Sequence, residues 1–108
     1  MTALGEVHIE EKTVHQNEYG NIACSCVDFV RQYRSDIPSM NADRFVPATT
    51  TPREGAVAIM FYPHSGQSHL ALVLAVADAK ITLRDANYEP CKVTERTVTL
   101  PDRIVGYL

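Results

Sequence analysis

The sequence predicts an α+β domain in which one helix precedes an antiparallel sheet of five to six strands. Two observations carry that expectation: a single helical periodicity over residues 21–34, and five later runs of β-branched and aliphatic residues separated by short polar turns. A third sets the scale. The chain has 108 residues, 45% of them hydrophobic and 21% charged, which is one ordinary domain able to bury roughly two-thirds of its unfolded surface.

Taken in order, residues 1–18 form a polar, acidic arm in which only the Val7/Ile9 alternation hints at a short strand. Residues 19–108 form the domain proper. From Asn21 to Arg34, about 100° per residue puts Ile22, Cys26, Phe29, Val30 and Tyr33 on one face, and Cys24, Asp28, Arg31 and Arg34 on the other. Asn21 is the expected N-cap, and Pro38 limits how far the helix runs. Residues 36–54, with three prolines and three successive threonines, read as a long irregular connection of the kind that is often functional. The strands are expected at Ala56–Tyr62, His69–Ala77, Lys80–Asn87, Lys92–Leu100 and Arg103–Leu108.

Composition excludes several classes. Ten basic residues against thirteen acidic ones give a net charge of −3, so no positive field is available for nucleic acid or an anionic membrane. No run approaches the ~20 apolar residues of a membrane span, and the N-terminus does not read as a signal peptide. Three cysteines, Cys24, Cys26 and Cys91, cannot all pair within the chain, and the expectation is reduced thiols.

Strand alternation places the polar groups. In the second strand His69, Ala71, Val73 and Ala75 share one face, and in the third Ile81, Leu83, Asp85 and Asn87 share a face. A carboxylate and an amide thus continue a core-facing row. A thiol at a helix start, an imidazole at a strand start and a carboxylate on the next strand are the set that cysteine nucleophilic catalysis needs, because a base must reach the thiol and a third group must orient the base. The backbone N–H of Cys26 is placed to serve an oxyanion hole. Cys24, on the polar face, reads as a bystander or an oxidation partner of Cys26, and Cys91, after Pro90 at a turn, reads as structural.

Several segments resemble a known family in the right order. Cys26-Val27-Asp28-Phe29-Val30-Arg31, Asn41-Ala42 followed by Phe45, Pro52-Arg53-Glu54-Gly55-Ala56-Val57-Ala58, Ser68-His69-Leu70-Ala71-Leu72-Val73, Asp85-Ala86-Asn87 and Ile104-Val105-Gly106-Tyr107-Leu108 resemble the motifs of the CHAP domain. That module is a cysteine, histidine-dependent amidohydrolase/peptidase related to the NlpC/P60 peptidases, with the papain-like order Cys, His, acid. The resemblance implies a papain-like fold with an N-terminal helix packed on the sheet, over residues 19–108. It implies Cys26 as nucleophile, His69 as general base and Asp85 as the residue orienting the imidazole. Asn87 would support them, and Ser25 or Asn21 would assist the oxyanion. Tyr19, Phe45, Tyr88 and His64 would meet substrate.

The implied substrate is peptidoglycan, cut at an amide bond through a thioester, with no cofactor and no metal. The implied setting is a bacterium or bacteriophage, the chain being made in the cytoplasm and delivered to the wall or periplasm by lysis, a virion or a secretion system. A targeting or immunity protein is a further possible partner, since no wall-binding domain accompanies the module. Two other readings stand beside this one. The chain could have kept the fold as a catalytically weak or inactive binding module, or it could cut a different amide. A zinc site drawn from Cys24, Cys26, Cys91, His64 or His69 fits poorly, because Cys-x-Cys is not the usual zinc spacing.

Overall fold

The structure is a computed structural model, and it describes residues 10–14, 20–101 and 103–108. Its frame is one antiparallel sheet of six strands: β1 (Glu10–Val14), β2 (Val57–Tyr62), β3 (Gln67–Ala77), β4 (Lys80–Ala86), β5 (Val93–Thr99) and β6 (Ile104–Tyr107), in the spatial order β1-β5-β4-β3-β2-β6. The five expected strands form with ends moved by one or two residues. A sixth, β1, comes from the segment read as an arm and pairs with β5 from Glu10↔Thr97 to Val14↔Val93. Val7 and Ile9 lie outside the described residues.

The helix corrects the expectation. Only Cys26–Arg31, six residues, is α-helical (α1), and residues Gly20–Cys24 form a 3-10 turn. The N-cap is Ser25, not Asn21: its backbone is extended and its hydroxyl accepts from Asp28 N at 3.2 Å. At the other end the N–H of Gln32 turns back to Phe29 O and that of Tyr33 to Val30 O, which tightens and stops the helix. Arg34 then leaves the helical path. Its guanidinium pairs with Asp36 at 2.8 Å and donates to the carbonyls of Gly55 and Leu108, both at 3.1 Å. The expected papain-like, NlpC/P60-like layering of an N-terminal helix on a sheet is therefore overturned. The chain is mostly sheet, with one small helix and two 3-10 turns, the second at Ala42–Arg44.

The alternation of the strands sorts the core into two clusters. Ala23, Val27, Phe29 and Val30 from the helical segment pack with Val57, Ile59, Leu70, Ala86 and Val93 on one side of the sheet. Ala58, Met60, Ala71, Val73, Ile81, Leu83 and Val98 line the other. The predicted row in β3 holds through Val73 and then breaks. A register shift between Val73 and Ala75 makes Leu74 a bulge residue, so Ala75 pairs with Thr82 and leaves the row that Val73 shares with Leu83.

The 36–54 connection is strapped to the sheet's far edge, where Thr49 bridges Tyr107 and Ala48 N donates to Tyr107 O at 2.9 Å. The strap lies close. A Cβ on Gly106 would stand 2.3 Å from Pro47 Cβ and 3.0 Å from Thr49 O. Gly106→Ala should therefore lower stability by ~1–3 kcal/mol, read as an earlier denaturant midpoint with unchanged slope. A midpoint within error of wild type would show that Pro47 moves aside freely.

The expectation of reduced thiols is also overturned, because Cys24 and Cys91 form a disulfide across 67 residues of sequence. Cys24 thus pairs with Cys91 and not with Cys26, which is the free thiol. The bridge ties the turn before α1 to the loop between β4 and β5. Replacing both cysteines by serine should cost ~2–5 kcal/mol, because the unfolded chain regains a long open loop. Thermal unfolding of the double variant checks it, and an unshifted Tm would refute it.

Candidate active site

β3 begins and β4 ends at the same rim of the sheet, since the antiparallel pairing runs from Ala77↔Lys80 to Leu72↔Arg84, with His69 and Asp85 just beyond that last pair. The first residue of α1 reaches this rim. Cys26, half-buried, lies beside His69, which is 7% exposed on the third residue of β3. His69 Nε2 meets Asp85 Oδ2 at 2.8 Å, leaving Nδ1 as the ring nitrogen available to the thiol. The three predicted groups form one continuous line.

Asp85 is fully buried and needs several donors to remain charged. Thr94 Oγ1 donates to its Oδ1 at 2.8 Å, while Arg96 Nη2 donates to Oδ2 at 2.8 Å, the oxygen His69 also uses. Burial pushes this carboxyl up, but His69 and Arg96 outweigh it and hold it below its ordinary value. Burial also pulls the imidazole down, yet Asp85 and the Cys26 thiol raise His69 to about 9. For Cys26, burial raises the thiol, and the bond to His69, its charge and the Leu70 N–H together bring it below the ordinary value. The net directions, a lowered thiol and a raised imidazole, favour the thiolate–imidazolium pair over the neutral one.

A cleft of about 600 Å³ opens onto this line, with Cys26, Asp43, Tyr62, His64, Gln67, Ser68, His69, Asn87 and Tyr88 in its wall. Cys26 also lines a second depression of about 480 Å³, with Ser25, Met40 and Asn41 in its wall, and the two share Ala42 and Asn87. The thiol is thus common to both concavities.

The remaining predicted residues separate. His64 and Tyr88 lie in the cleft wall. Asn87 also lies there, with φ at +67° and its Oδ1 accepting from Cys91 N at 2.8 Å, so it shapes the loop beside the site. Ser25 caps the helix next to Cys26, and Asn21 falls in the 3-10 turn before it. Phe45, expected to touch substrate, is 9% exposed in the helix-side core cluster, where its ring adds more by burial than at a rim. Tyr19 lies outside the described residues.

The sequence reading missed Thr94 and Arg96. Period-two alternation puts them in phase with the buried Val98, which was the available signal. A cation in an inward row is ordinarily read as a surface residue, and only a carboxylate opposite reveals it. Among the described residues no group of three or more His, Cys, Asp or Glu side chains is arranged to hold a metal ion, and the disulfide occupies two of the thiols the zinc reading required.

Comparison with protein families, curated proteins and solved structures finds no match for this chain. The reading of the site rests on its own chemistry.

That chemistry has a direct pH signature. With the thiol lowered and the imidazole raised, alkylation of Cys26 by iodoacetamide should keep its full rate to lower pH than that of an ordinary thiol, whose pKa is ~8.5. In His69→Ala burial and the Asp85 charge push the thiol up with only the Leu70 N–H against them, so the rate at pH 7 should fall about tenfold or more. Equal rates in the two proteins across pH 6–9 would mean that His69 does not activate Cys26.

Proposed function

We propose that the protein is a cysteine-dependent hydrolase of amide bonds, with peptidoglycan as its substrate. The observation that carries the reading is the buried Asp85–His69 contact, 2.8 Å long, beside the free Cys26 thiol that lines an open cleft. The CHAP-like order of short motifs supports the choice of substrate. The sheet alone would not.

In the proposed cycle the Cys26 thiolate attacks the amide carbon, and the tetrahedral oxyanion collapses as His69 donates its proton to the departing nitrogen. The C–N bond breaks, an amine leaves, and the acyl group remains on sulfur as a thioester. Water then attacks that carbon while neutral His69 takes its proton, the C–S bond breaks, and the carboxylic acid and the Cys26 thiolate are released. Asp85 holds the imidazole in the tautomer that presents Nδ1 to the thiol throughout. The two concavities that share Cys26 offer room for a peptide beside the sulfur.

The Cys24–Cys91 bridge supports a working place outside a reducing cytosol, in keeping with delivery to the wall or periplasm. A targeting or immunity protein belongs to the same proposal.

Purified sacculi incubated with the chain, without a thiol reductant, test this function through the new amine and carboxyl ends. Wild type should release ends, while Cys26→Ala and His69→Ala should lower the rate by at least ~100-fold. Release that survives in Cys26→Ala, or none from any type of sacculus, would overturn the proposal.

A further inference from the structure

Behind Asp85 lies a cation that a triad does not require. Arg96, on β5, is 2% exposed and comes from a strand whose neighbouring positions, Glu95 and Thr97, face the other way. Burying a guanidinium is costly unless its partners are excellent. Here one nitrogen, Nη2, meets Asp85 Oδ2 at 2.8 Å, Tyr62 Oη at 3.3 Å and the Met60 sulfur at 3.7 Å. The guanidinium carbon also sits 3.7 Å from the centre of the Tyr88 ring.

Those partners share a further property. The His69 ring neighbours both tyrosines, with centroids 6.3 Å from Tyr62 and 6.5 Å from Tyr88, and both tyrosines line the cleft. One side chain thus touches the carboxylate that orients the base and both aromatic rings that flank it. Arg96 Nε, buried and with no hydrogen-bond partner among the described residues, shows that the side chain is not placed for its own best satisfaction.

We propose that Arg96 is a positioning residue of the Cys26–His69–Asp85 site, sharing the Asp85 carboxylate with His69 so that the imidazolium is not held too tightly to deliver its proton, and fixing the tyrosines that flank the ring. This rests on the reading of Cys26 and His69 as nucleophile and base. The sign follows from simple electrostatics. The titratable or charged groups around the imidazole are Cys26 from α1, Tyr62 from β2, Asp85 from β4, Tyr88 from the following loop and Arg96 from β5, with Asp43 and His64 in the same cleft wall. Arg96 is the permanent cation in this set. Its removal gives the whole Asp85 charge to His69, so the His69–Asp85 pair must bind its proton more tightly.

The test is the titration of the His69 ring, followed by NMR of histidine-labelled full-length chain and assigned with His69→Gln. It needs no substrate. Arg96→Met should move the midpoint upward by about one pH unit or more, while Arg96→Lys, which keeps the charge, should leave it near wild type. On a hydrolysed substrate Arg96→Met should lower kcat far more than it changes KM. If Arg96→Met does not fold by circular dichroism, Arg96→Gln takes its place, because it keeps a donor to Asp85 without the charge. An unmoved midpoint in the folded, uncharged variant would overturn the proposal. So would an Arg96→Lys midpoint that rises as far as that of Arg96→Met, since charge would then not be the cause. Because the titration is read without turnover, sacculi that remain uncut would count against the proposed function and leave this result standing.

Discussion

A carboxylate with no exposed surface is the constraint around which this small domain is arranged. Asp85 is held in the interior by donors from two strands, with the Thr94 hydroxyl on one oxygen and His69 and Arg96 on the other. Leaving such a charge unpaired would cost a large share of a small domain's stability, so the register of β3, β4 and β5 is coupled to the site. A slip of one residue in β4 would turn Asp85 to the opposite face and bring Arg84 or Ala86 inward. The same ladder that closes the core delivers the imidazole.

The surroundings of that ladder account for the rest of the site. The helix is short because Ser25 caps it and the N–H groups beyond Arg31 turn back early, and its brevity leaves Cys26 at the rim rather than beneath a long helix. The disulfide anchors the turn just before Cys26 to the loop that follows β4, and Asn87 secures that loop again through the Cys91 N–H. Cys26 and the loop that follows Asp85 are thus tied together by covalent and hydrogen-bonded links as well as by packing.

The electrostatics turn on opposing large effects. Burial disfavours every charge in the site, and each charge persists because an opposite one stands within hydrogen-bonding distance. The result is a linked row of thiol, imidazole, carboxylate and guanidinium, each in contact with the next.

Much of this was legible in the chain itself. Strand positions followed from period-two patterning and turn residues, and the candidates Cys26, His69 and Asp85 followed from their phase on one helix and two strands, because alternation is a local property of an extended backbone. Tertiary structure decided what local pattern could not. The helical periodicity of residues 21–34 says which face would be apolar, but cap and end contacts determine that only six residues coil. The bulge at Leu74 arises from the pairing of two strands, and neither strand shows it alone. The Cys24–Cys91 bridge joins groups 67 residues apart, and Phe45 enters the core because of what packs around it. Arg96 is the clearest case: a charged residue in an exposed-looking strand becomes an interior cation only because the sheet sets Asp85 and Tyr88 against it, and the partners of a buried charge are a property of the folded chain.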